Sequence, residues 1–137
     1  MVHASDEDRR RTRAAGATVV LCPRSNLHIG GRLPDVQALI AAGVRLAIGT
    51  DSLASVPTLS PWAEMATLAA RFPDVPPQTW LAAATTGGAS ALGLGLLGSL
   101  APGKRPGLLD VVLADQGDPV RALVTNPDPH VRWMVNA

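Results

Sequence analysis

The chain of 137 residues has a single cysteine, so Cys22 cannot close an internal disulfide, which fits a reducing compartment. Aromatic side chains are scarce as well: three tryptophans and one phenylalanine, widely scattered, exclude a base-stacking platform. Neither sign of charge dominates. With 12 basic and 11 acidic side chains the formal net charge is +1, which gives no electrostatic reason to expect nucleic acid or an anionic membrane as a partner. No apolar run approaches the ~18 residues of a membrane span, and charge appears by Asp6, which argues against a signal peptide. The expectation is a cytoplasmic protein. Its three histidines, His3, His28 and His130, lie too far apart for a local metal motif.

What is present is globular in composition, 47% hydrophobic and 17% charged, at the length of one ordinary domain. Ser5-Asp6-Glu7-Asp8 suits a helix start, with Ser5 as cap and acids at the positive end of the dipole; the arginines from Arg9 to Arg13 read as a solvated face. Gly16 ends that helix, and residues 17–22 form a buried strand stopped by Pro23. Residues 23–31 (Pro-Arg-Ser-Asn-Leu-His-Ile-Gly-Gly) read as a functional loop. A helix with Val36, Leu39 and Ile40 on one face follows Pro34 and ends at Gly43. Residues 44–48 form a second buried strand, and Gly49-Thr50-Asp51-Ser52 closes it.

Beyond Asp51, a helix opens at Ser60-Pro61 with Trp62, Met65, Leu68 and Ala69 at helical spacing. Residues 80–86 are helical, Gly87-Gly88 interrupts, and residues 89–92 resume a short helix. From Gly98 the character changes to short strands at 108–114, 120–125 and 131–135. The organisation expected is an α/β portion over 1–97 and a small β portion over 98–137. Two parallel-type strands leave open edges, and an α/β barrel needs eight strands and ~250 residues. The chain therefore reads as the C-terminal piece of something larger, or as a non-catalytic α/β module whose open edges favour self-association or a partner chain.

Two glycine motifs are decoys. Residues 93–98 match Gly-x-Gly-x-x-Gly but end a helix instead of opening one, and residues 98–104 match Gly-x-x-x-x-Gly-Lys but continue as Arg105-Pro106, with no hydroxyl for a metal and no helix to follow. Cys22 has no adjacent base and suits a small apolar role. Asp51 stands apart: a carboxylate at the C-terminal mouth of a buried strand lies where α/β folds place chemistry. A metal ion or a protonated substrate would offset its desolvation, or the side chain turns the loop through its own backbone.

Cys22-Pro23-Arg24-Ser25-Asn26, then Leu33-Pro34 and a helix ending in Ala42-Gly43-Val44, then Ile48-Gly49-Thr50-Asp51, together resemble the amidohydrolase superfamily in its deaminase and chlorohydrolase branch. The resemblance covers essentially the whole chain and implies the end of a metal-dependent (β/α)8 barrel, with 17–22 as the seventh strand and 44–49 as the eighth, followed by strands of a small β-sandwich domain. It implies Asp51 as a ligand to Zn²⁺ or Fe²⁺ and as a proton shuttle. Ser25 and Asn26 would shape the substrate site, with His28 beside them. The implied reaction is removal of an amine from a small nucleoside- or purine-like heterocycle. The remaining metal ligands of the family would precede this chain. Asp51 follows His3 by 51 minus 3, or 48 positions, which matches the second histidine of a family His-x-x-His segment. His3 is then a residue leading into the helix and not a ligand, and the chain alone is expected to be inactive.

Overall fold

A computed structural model describes residues 3–113 and 117–135. Helix α1 (Asp6–Ala14) begins with the expected reciprocal cap, in which the Asp8 amide donates to Ser5 Oγ and the Ser5 amide to the Asp8 carboxylate. Strand β1 (Thr18–Leu21) follows, then α2 (Pro23–Gly30), α3 (Val36–Ala41) and β2 (Arg45–Ile48). β1 and β2 pair in parallel, Thr18 opposite Arg45 through Leu21 opposite Ile48, and the Gly49 amide extends the ladder to Leu21 O at 2.9 Å.

The segment expected to be a loop after Pro23 is instead α2. Pro23 takes the first helical turn, where its missing N–H is no loss, and Gly31 ends the helix in the left-handed conformation at φ 64°. Polar composition hid a helix whose start lacks a local side-chain cap.

Helix α4 (Pro61–Arg71) and helix α5 (Pro77–Ala82) close over the strands. Val19, Leu21, Val36, Leu39, Met65, Leu68 and Trp80 form the core, with Phe72 tilted against Trp80 at a centroid separation of 6.1 Å. The expected break at Gly87-Gly88 does not occur. The chain continues through a π-helical turn (Ala83–Gly87) into α6 (Gly88–Ala91), with both glycines at helical φ. Gly87 lies so close to β2 that a Cβ there would fall 2.0 Å from Leu46 O, so only glycine admits this approach.

After α6 the chain forms β3 (Leu108–Val112), α7 (Pro119–Thr125) and β4 (His130–Val135), with β3 and β4 antiparallel. The expected strand over 120–125 is helix α7. The Asp118 carboxylate accepts from the Val120 amide at 2.9 Å, Pro119 occupies the first turn, and burial of Val124 outweighs the β-branched composition. α7 packs on α4 and α5, so Val124 completes the same core as Trp80. Residue 114, the end of the expected third strand, lies outside the described residues. Both glycine decoys behave as their context implies: residues 93–98 form turns after α6, and the Lys104 ammonium donates to Gly95 O.

Candidate active site

The site lies where β1 and β2 end. Each parallel strand delivers its following residues to the same end of the sheet, so α2 and the Gly49–Ser52 turn face one another. Ser25, in the first turn of α2, is 2% exposed and donates from Oγ to Asp51 Oδ2 at 2.5 Å. Ser55 Oγ lies 3.3 Å from the same oxygen and 3.1 Å from Ser52 O. Asp51 is the one non-glycine with positive φ among the described residues, at 61°, a conformation that costs an L-residue about 1 kcal/mol and that Asp tolerates better than most. Strain and a buried hydroxyl together aim this carboxylate.

A hollow of about 330 Å³ opens in front of it, lined by His3, Ser25, Asn26, Ile29, Gly30, Arg32 and Asp51. Asp51, Ser25 and Asn26 are thus brought together as the sequence suggests. His28 is exposed on α2 and is absent from the lining, because one face of the helix presents Ser25, Asn26 and Ile29 while His28 points elsewhere. His3 does line the hollow, and its Nε2 accepts from the Arg32 guanidinium at 2.9 Å.

Sequence reasoning missed Arg32, hidden in a segment read as loop, and Glu64. The Glu64 side chain is fully buried on the core face of α4, beside Met65 and four positions before Leu68. An acid on the apolar stripe of an amphipathic helix was the available signal. Its Oε2 accepts from the Arg24 amide at 2.9 Å, and burial pushes its carboxyl above the ordinary range, only partly opposed by Arg24. Burial likewise pushes the Cys22 thiol up, helped by the negative charge of Asp51, which favours the uncharged thiol over the thiolate.

The donor chemistry fits one corner of a divalent-metal site. Asp51 offers a hard carboxylate oxygen, since Oδ1 has no hydrogen-bond partner among the described residues. No group of three or more His, Cys, Asp or Glu side chains gathers there among the described residues, so the described residues do not form a closed ligand shell.

The amidohydrolase family model matches residues 1–130. The chain is 40% identical over 93 residues to the aminodeoxyfutalosine deaminase of Deinococcus radiodurans, a match covering 68% of this chain and 22% of that protein. It is 36% identical over 135 residues to the 5-methylthioadenosine/S-adenosylhomocysteine deaminase of Teredinibacter turnerae, covering 93% of this chain and 30% of that protein. A solved adenosine deaminase from Xanthomonas campestris with bound zinc superposes with a TM-score of 0.69 at 38% identity, over 76% of this chain and 26% of that one. The chain thus spans less than a third of the length of these relatives. With the family model matching nearly the whole sequence, the chain belongs to the amidohydrolase family.

Proposed function

We propose that this chain is the closing part of a metal-dependent C–N hydrolase that deaminates a small, nucleoside- or purine-like heterocycle. The observation carrying the reading is the 2.5 Å hydrogen bond from Ser25 to Asp51, which ties the mouths of two parallel strands together over a hollow of substrate scale. The relatives are named as deaminases of aminodeoxyfutalosine and of 5-methylthioadenosine and S-adenosylhomocysteine, which supports this substrate class.

In this reading β1 and β2 are the seventh and eighth strands of a (β/α)8 barrel. Residues 1–97 close the barrel; within 98–137, β3 and β4 contribute to a small β domain while α7 packs back on α4 and α5. Asp51 would be one of the residues holding a zinc or iron ion, which would supply acidity to a water at neutral pH. Asp51 would take a proton from the attacking water as the water oxygen bonds to the amine-bearing carbon, and would then deliver that proton to the departing nitrogen. The ring N=C–NH₂ unit and water become ring HN–C=O and ammonia, with one water proton carried to the leaving nitrogen and the other passing to the ring nitrogen. Ser25 keeps Oδ2 engaged, which leaves Oδ1 without a hydrogen-bond partner among the described residues, and Asn26 lines the hollow in which the heterocycle would sit. A reducing, cytoplasmic setting would keep Cys22 as a thiol.

Ammonia release from adenosine-type substrates by the full-length protein, compared with Asp51→Asn, tests the reading. Loss of nearly all turnover is expected, and near-normal turnover in the variant contradicts it.

A second reading, a module that pairs with another chain, draws on exposed apolar side chains. Val20 on β1 is 51% exposed, and Leu92, Leu96 and Leu100 are open as well. Sedimentation of the isolated chain separates the two: a stable, monomeric, cooperatively melting species argues for an independent module, whereas aggregation or an unfolded chain points to a fragment.

A further inference from the structure

A fully buried acid outside the metal corner is the feature the proposed reaction leaves unused. The first amides of any α-helix lack intrahelical acceptors, and Cys22, at the cap position of α2, provides no side-chain acceptor. The acceptor comes instead from forty positions downstream. Glu64 reaches across from α4, and its Oε2 takes the Arg24 amide at 2.9 Å, while the Arg24 guanidinium stands 3.7 Å from Oε1. That guanidinium also donates to Thr58 O at 3.1 Å, so Arg24 is gripped on both sides. A carboxylate at this end of α2 is favoured by the helix dipole.

The cap is expensive to maintain. Glu64 has no exposed surface, and Oε1 has no hydrogen-bond partner among the described residues. Burying an acid with an unsatisfied oxygen costs folding energy that a hydrophobic residue beside Met65 and Leu68 would not. The residue that gains from it is the next one along. Arg24, whose amide Glu64 holds, is followed by Ser25, whose Oγ meets Asp51 Oδ2 at 2.5 Å. Fixing one amide at the start of a helix fixes the neighbouring side chain's origin and direction.

We propose that Glu64 is a positioning residue, which caps α2 in trans through the Arg24 amide and thereby sets Ser25 against Asp51. The inference rests on the reading of Asp51 as the reacting carboxylate, and it extends the site to α4. A small loosening of Ser25 would misplace the carboxylate in a reaction whose rate depends on alignment.

The test is a double-mutant cycle in the metal-loaded full-length protein, with Glu64→Ala and Ser25→Ala made singly and together, and with amide hydrogen exchange followed in α2. Glu64→Ala should lower kcat ~10-fold or more with KM changed by no more than about twofold, since a misaligned group is felt in the transition state. The double variant should be no slower than Ser25→Ala alone within about threefold, because both substitutions break the same link. Exchange of the Arg24 amide should accelerate in Glu64→Ala and stay unchanged in Ser25→Ala. Glu64→Gln, which keeps an oxygen acceptor, should restore both kcat and protection. If Glu64→Ala does not fold, Glu64→Met fills the volume without the acceptor and takes its place in the cycle.

Multiplying losses in the double variant, an unchanged kcat in Glu64→Ala, or a Glu64→Gln protein as impaired as Glu64→Ala would each overturn the proposal. Full turnover in Asp51→Asn would instead sink the reading of the site, while the exchange result would still report whether Glu64 caps α2.

Discussion

Replacing Asp51 by asparagine and, separately, by alanine separates what its carboxylate does for the fold from what it does for chemistry. Asparagine tolerates the left-handed backbone at φ 61° and keeps an amide oxygen for Ser25, so the variant loses only the charge assistance on one hydrogen bond, about 1 kcal/mol. Alanine loses more. It has no polar side chain to ease the left-handed conformation, adding roughly 0.5–1 kcal/mol of strain, and it leaves the buried Ser25 hydroxyl without its acceptor, adding about 1–3 kcal/mol. Ser55 is spared, because Ser52 O remains 3.1 Å away. The alanine protein should therefore unfold about 0.5–3 kcal/mol more easily than the asparagine protein, a difference that urea denaturation with a common slope resolves. Both should be equally dead as catalysts, since neither has a carboxylate to carry a proton. Equal stability of the two variants would refute the anchoring of Asp51 by Ser25, and substantial turnover in either would refute its role in proton transfer.

Gly87→Ala should destabilise the protein by about 1–3 kcal/mol, because its Cβ would lie 2.0 Å from Leu46 O, a backbone atom of a paired strand that cannot yield. An unshifted melting midpoint would show that the π-helical turn is free to move. Glu64, with its folded carboxyl raised above the ordinary 4.5, binds its proton more tightly folded than unfolded. Its contribution to stability is thus fully present below pH 4.5 and declines as pH rises through the raised folded value, so Glu64→Gln should flatten that part of the pH–stability curve. Identical wild-type and variant curves across that window would contradict the burial of a titrating acid. Calorimetric titration of the 137-residue chain with zinc should show no tight, stoichiometric binding, because the described residues supply no cluster of three ligands; a tight site abolished by Asp51→Ala would contradict that expectation.

The parts of the fold written in local sequence were legible. Ser5 and Asp8 announce α1, the β-branched run after Gly16 announces β1, and Ile48-Gly49-Thr50-Asp51 marks the mouth of β2. What escaped depends on partners distant in sequence. Helix α2 has no cap of its own and owes its first turn to Glu64, so its polar residues resemble a loop until α4 is placed beside them. Residues 120–125 carry the β-branched Val120, Val124 and Thr125, yet the local cap at Asp118 and the burial of Val124 against α4 and α5 decide for a helix. At the site, Asp51 stood out from its place at a strand mouth and Ser25 from the family resemblance, whereas the absence of His28 from the hollow required the facing of α2, and Arg32 became visible only through its contact with His3.

Anomalous diffraction at the zinc edge, from crystals of the zinc-loaded full-length protein, addresses the place of Asp51 most directly. A zinc peak bonded to a carboxylate oxygen of Asp51 at about 2.0–2.2 Å, with Ser25 still on the other oxygen, is the predicted result. A fully occupied zinc with no bond to Asp51 would contradict the account.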